Sequence, residues 1–222
     1  MTVQPDVDKL IQHTRQYEFS DGLRDVQLAL LLGLGSVSVW LSLYPGWLTF
    51  VGTVVKTFGR WAVWINMLPL VVALGVVLGM LWVMDFVRRR WLWRESGMVK
   101  SSRWVVPRGV NVLSAVVLIG GIAAGLGLRY LRWVDDAFVL RMLWAATGWS
   151  FGYTLFSMGR HLGLPRYVWL GVGGGLASTG MLILPLAFGQ VALVFGLGWA
   201  ALLGTSGAIA LRRAIRSVQA RD

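Results

Sequence analysis

The sequence predicts an all-α polytopic membrane protein: a compact bundle of six transmembrane helices with an amphipathic helix in the outer interface. Three observations predict it. Of 222 residues, 56% are hydrophobic and only 14% charged, where a soluble domain carries about 25% charged residues. The apolar residues come in runs of about 20, the length that crosses a hydrocarbon layer about 30 Å thick. The basic residues also segregate between alternate loops, as the positive-inside rule requires of a polytopic chain.

The elements follow in order. Residues 1–25 form a polar cytoplasmic tail carrying Asp6, Asp8, Glu18, Asp21 and Asp25, so no cleavable leader is expected there. A short helix is expected in this stretch, with Leu10, Ile11 and Tyr17 on a membrane surface or a partner. The transmembrane domain is 26–211, with spans at 26–44, 62–87, 109–129, 137–159, 166–187 and 191–211. Between the first two spans, Trp47, Phe50, Val51, Val54, Val55, Phe58 and Trp61 recur at helical spacing, while Thr49, Thr53, Lys56, Thr57 and Arg60 take other faces. That is an interfacial helix over 46–61, either a cover for the bundle or a gate or docking surface. Loop 88–108 is basic and cytoplasmic, with a short hairpin around Glu95-Ser96-Gly97 flanked by Trp91, Trp93, Met98 and Val99. Residues 212–222 are a basic cytoplasmic tail. Most of the 13 tryptophans fall near span ends, as an aromatic belt does. Trp144, Trp149 and Trp199 fall deeper and are expected between helices.

Six spans place both termini in the cytoplasm and the protein in a cell (inner) membrane. Loop 88–108, the 160–166 connection and the C-terminal tail then share one side, with thirteen Lys and Arg against four (Lys56, Arg60, Arg129 and Arg132) on the other. The net charge of +11 therefore reads as an orientation signal. Its expected partners are membrane lipid, with anionic headgroups at the basic cytoplasmic loop, and not nucleic acid.

Small residues four apart make flat grooves through which membrane helices approach one another. The pairs are Gly75 with Gly79, Gly121 with Gly125, Gly171 with Gly175, and Gly204 with Ala200 and Ala208; Ala29 with Gly33 is a weaker match. They point to a compact bundle, or to a bundle packed into a larger assembly, with other membrane subunits or a homo-oligomer as expected partners. Pro69 and Pro185 each free a backbone carbonyl within a span.

Chemistry is sparse. With no cysteine and only His13 and His161, thiolate catalysis, disulfides and Cys- or His-rich metal sites are not expected, and no cofactor is predicted. Asp85 pairs with Arg88 or Arg89 one turn on, and Asp135 and Asp136 cap the fourth span or pair with arginine. Arg141 snorkels to the interface or forms an outer anion site. Gly148-Trp149-Ser150-Phe151-Gly152 carries the letters of a nucleophile elbow, but inside an apolar helix. His161 is eleven residues on, about 16 Å along one helix, too far to act as the base, so no catalytic residue is assigned. Thr147, Ser150, Thr154 and Ser157 fall within an arc of about 80° on the fourth span, bordered by Tyr153. Such a stripe either hydrogen-bonds between helices or lines a narrow solute path, which Asn66, Ser178 and Thr179 would join. The expected function is therefore a non-enzymatic accessory or structural subunit of a membrane complex. The alternative is a transporter or channel for a small neutral or weakly anionic solute.

Overall fold

The computed structural model describes residue 19, residues 21–87, residue 90 and residues 108–219. The expected hairpin around residues 91–99 lies outside them, as do nearly all of loop 88–108 and the tail helix. The described residues form no strand. They form seven α-helices: α1 (Leu23–Ser42), α2 (Pro45–Phe58), α3 (Leu68–Val87), α4 (Arg108–Tyr130), α5 (Asp136–Leu162), α6 (Pro165–Thr179) and α7 (Phe188–Gln219). A 3-10 segment, Arg60–Met67, leads into α3, and a 3-10 turn, Gly180–Leu182, ends α6.

Helix boundaries have local causes. Gly22 opens α1 in the left-handed region at φ 76°, and the Asp21 carboxylate accepts from the Leu23 amide at 3.0 Å. Asp135 caps α5, accepting from the Phe138 amide at 2.8 Å. Gly163 ends α5 at φ 66°. Helix α4 ends with the Trp133 amide on the Leu128 carbonyl (3.0 Å) and the Arg132 amide on that of Arg129 (2.9 Å). This is a Schellman ending, with Arg132 rather than glycine at the left-handed position, φ 59°.

Packing runs in sequence across the bundle: α3 lies on α1, α1 on α7, α7 against α5 and α6, and α5 between α6 and α4. The shared core joins Ala29 of α1, Leu155, Met158 and Leu162 of α5, Tyr167 of α6, and Phe195, Trp199 and Leu203 of α7. The Trp199 ring lies against the Gly174 backbone and meets Phe151 edge-on at 4.8 Å. Helix α3 buries only Ala73, Val77 and Met84, positions that fall on one face. Val71, Leu74, Leu78 and Trp82 are exposed on the rest of it. That pattern suits a helix whose solvent is lipid.

Four helical stretches are long and apolar enough to cross a membrane: Leu23–Ser42, Arg60–Val87, Gly109–Tyr130 and Phe188–Arg216. Six spans were expected; among the described residues these four meet the length and apolarity needed. Helix α5 is long, but Asp136, Arg141, Arg160 and the hydroxyl stripe dilute its apolar character. Helix α6 has 15 residues, a rise of about 22 Å. It stops short of residue 187 because Pro185 disfavours helical backbone at Leu184, and the Ile183 and Leu184 amides turn back to the Gly180 carbonyl instead. Pro69 is the second residue of α3, after Leu68, which keeps helical backbone at φ -54° and ψ -45°. The helix expected from 62 starts at Leu68, and the Leu68 amide closes a 3-10 turn on Ile65. Residues 212–219, expected as tail, continue α7 to 32 residues.

Candidate functional site

Two hydroxyls of the α5 stripe, Ser150 and Thr154, hydrogen-bond Ser114 of α4. Ser150 donates to the Ser114 carbonyl at 2.9 Å, the two hydroxyl oxygens are 2.7 Å apart, and Thr154 Oγ1 lies 3.0 Å from Ser114 Oγ. Thr154 also reaches the Ser150 carbonyl at 2.9 Å. Each hydroxyl has one proton to donate, and all three find acceptors within this cluster. Thr147 bonds back to the Leu143 carbonyl of its own helix at 2.8 Å. Tyr153 and Ser157 are half-buried on α5.

The other polar residues expected beside the stripe are placed elsewhere. Asn66 sits where α1, α2 and the 3-10 segment meet: its side-chain oxygen accepts from the Trp47 indole at 2.9 Å and its carbonyl from Ser42 at 3.1 Å. Ser178 bonds the Gly174 carbonyl at 2.8 Å, accepts from the Trp199 indole at 3.2 Å and fills the space beside Gly148. Thr179 accepts from the Trp149 indole at 3.0 Å. The deep tryptophans thus spend their N–H groups on helix-to-helix bonds, Trp144 excepted.

The most deeply buried charge is one that sequence reasoning left in the polar tail. Asp25 is in the first turn of α1 and is 0% exposed. The Tyr167 hydroxyl of α6, itself buried, donates to Asp25 Oδ1. Arg166 Nη2 lies 3.3 Å from Asp25 Oδ2, and it also donates to the Phe19 carbonyl and to the Tyr167 hydroxyl at 3.3 Å. Phe19 meets Tyr167 edge-on at 6.0 Å, and the Arg24 guanidinium stands 4.7 Å from the Phe19 ring centre. Helix α7 closes the third side, where a Cβ on Gly207 would lie 2.8 Å from the Gly22 carbonyl and 2.9 Å from Asp25 Cβ. The cluster ties α1, α6 and α7 together at one end of the bundle, with no face of the carboxylate open to a substrate. Its signal was an aspartate directly ahead of an apolar run. Placing the first span at 26–44 put that residue just outside the helix that buries it. Ser114 was missed because one serine in an apolar span carries no pattern of its own.

The packing glycines divide. Gly121 meets Ala146, and Gly125 meets Met142, both on α5. Gly171 and Gly175 meet Gly152 of α5, and Gly204 meets Ala29 of α1. Gly75 and Gly79 have no described atom within 4 Å of where a Cβ would stand. At the end of the bundle opposite Asp25, Arg129 pairs with Asp136 at 2.5 Å on the surface. The bond and charge of Arg129 hold the Asp136 carboxyl below the usual carboxylate range. Among the described residues no group of His, Asp and Glu is placed to hold a metal ion. No protein-family model, curated protein or solved structure matches the chain.

Proposed function

We propose that the chain is a non-enzymatic multi-pass membrane protein that works as an accessory or structural subunit through helix contacts. In this reading α5 over 137–159 and α6 with its 3-10 turn also cross, giving six spans with both ends cytoplasmic. Helix α6 and that turn together rise about 28 Å, close to the hydrocarbon thickness. Helix α2 then lies along the outer interface, and loop 88–108 sits among anionic headgroups.

The observation that carries this reading is the outer face of α3. Gly75 and Gly79 lie one turn apart with no described atom within 4 Å of where a Cβ would stand, on a helix attached to the bundle by a single stripe. That is the surface a neighbouring membrane helix approaches most closely. The hydroxyls of α5 support it as well, since Ser114, Ser150 and Thr154 use their donors on one another.

Purification of the full chain from its own membrane in mild detergent is expected to retain a second membrane chain or a second copy. The double variant Gly75→Leu, Gly79→Leu is expected to lose that companion while keeping its helicity, because no described atom lies within 4 Å of either new Cβ. A stable monomer that transports a solute alone in vesicles would overturn the reading.

A further inference from the structure

Two donors on one face of α5 have no acceptor in the protein. Arg141 Nε and Trp144 Nε1 are both buried atoms without a hydrogen-bond partner. They are three residues apart and therefore neighbours on the helix surface. A buried donor left unpaired is costly, and more so on a cationic guanidinium. The carboxylates nearest in sequence are already engaged: Asp135 accepts from the Phe138 amide and Asp136 pairs with Arg129. No ion pair among the described residues includes Arg141.

The surroundings narrow the chemistry. Trp144 packs on Phe188 and Phe195 of α7, with ring centres 5.8 and 5.2 Å away. Phe188 is the first residue of α7, so the amide end of that helix, which favours negative charge, lies beside the Trp144 ring. Arg141 is six residues below the Asp135 cap, about 9 Å along the axis. The headgroup layer on each side of a bilayer is about 5–8 Å deep. With α5 crossing as proposed above and Asp135 at the water boundary, the pair falls near the level where phosphate meets hydrocarbon, with aromatic rings against Trp144. Both unpaired groups donate and neither accepts, so the missing partner is an acceptor carrying negative charge.

We propose that the face of α5 around Arg141 and Trp144, at the end of the bundle remote from Phe19, opens to bind a phosphate oxyanion through Arg141 Nε and Trp144 Nε1. The depth and the aromatic wall favour a phospholipid headgroup as its source over free phosphate. This is a separate site from the basic cytoplasmic loop; it rests on the proposed membrane crossing of α5 and not on the accessory-subunit role.

The test uses the full chain, purified and delipidated in a neutral detergent. It is titrated in one arm with phosphatidylglycerol and in the other with inorganic phosphate, and bound species are counted by native mass spectrometry. One phospholipid per chain is expected to bind with clear preference. Arg141→Met is expected to weaken it about tenfold or more, and Trp144→Phe, which keeps the ring and removes the N–H, about threefold to tenfold. Helicity is followed by circular dichroism. Should Arg141→Met fail to fold, Trp144→Phe decides alone. Phosphate binding that both variants weaken, without lipid preference, assigns the site to the free anion. Absence of binding in both arms, or binding that neither variant changes, overturns the proposal.

Discussion

Removing either partner of the Asp25–Arg166 pair should destabilise the protein, but by different amounts. Arg166→Met leaves a carboxylate that is 0% exposed with the Tyr167 hydroxyl as its one remaining donor. Stripping the partner from a buried charge costs about 3–5 kcal/mol. Asp25→Asn keeps an oxygen for Tyr167 to donate to, and it leaves Arg166, whose side chain is 23% exposed, holding the Phe19 carbonyl. The loss there is one charge-assisted contact, about 1.5–3 kcal/mol. Arg166→Met is therefore expected to be the more damaging by about 2 kcal/mol. The double variant should cost less than the sum of the singles, because the second change removes a charge the first left stranded. Denaturant unfolding in micelles, followed by circular dichroism across all four proteins of the cycle, measures both quantities. Equal losses, a larger loss for Asp25→Asn, or strict additivity would refute the reasoning that the carboxylate, and not the guanidinium, is the sealed member of the pair.

Three further outcomes are expected in the purified monomer. Gly152→Ala puts a Cβ 2.6 Å from the Gly171 carbonyl and 3.0 Å from Gly175 Cα. Both are backbone atoms that cannot swing aside, so a loss of about 1–3 kcal/mol should appear as a lower melting temperature; Gly75→Ala, with open space, should stay within about 0.5 kcal/mol of the parent. Ser150→Ala removes the donor to the Ser114 carbonyl and should cost about 0.6–1.7 kcal/mol, whereas Thr147→Ala, which loses only a bond within its own helix, should melt with the parent; equal effects would break the assignment of the stripe to α4. Arg132→Gly relieves a left-handed residue at φ 59° and should raise stability by about 0.5–1 kcal/mol, while Asp135→Ala, losing the cap on Phe138, should lower it by about 1 kcal/mol; both are read from the same thermal scans.

Reading from residues to helices works here because the information is local. An apolar run binds its own backbone groups most cheaply as a helix, so the helical character of the runs at 26–44 and 109–129 was legible at once. So was the amphipathic repeat that forms α2. Proline punctuation was present but misjudged: both prolines were placed within spans, whereas Pro185 lies past the 3-10 turn that ends α6 and Pro69 stands at the second position of α3, just after a 3-10 segment. The α5 hydroxyls were visible as a stripe, but their partner was not, because Ser114 is 36 residues from Ser150 and nothing local couples the two.

Local hydrogen bonding and apolarity, then, are enough to settle that this chain is a set of rods suited to lipid, and roughly where each rod lies. They cannot settle which rod stands beside which. Only the packed bundle decides that Asp25 of α1 meets Arg166 and Tyr167 of α6, some 140 residues on, and that Gly75 and Gly79 of α3 stay open while Gly121, Gly125, Gly171, Gly175 and Gly204 are covered. The reason is physical. A charge is tolerated at zero exposure only if its partner arrives from another helix. A glycine groove is filled only if a neighbour's surface fits it. Both conditions concern pairs of segments, and no single segment encodes them.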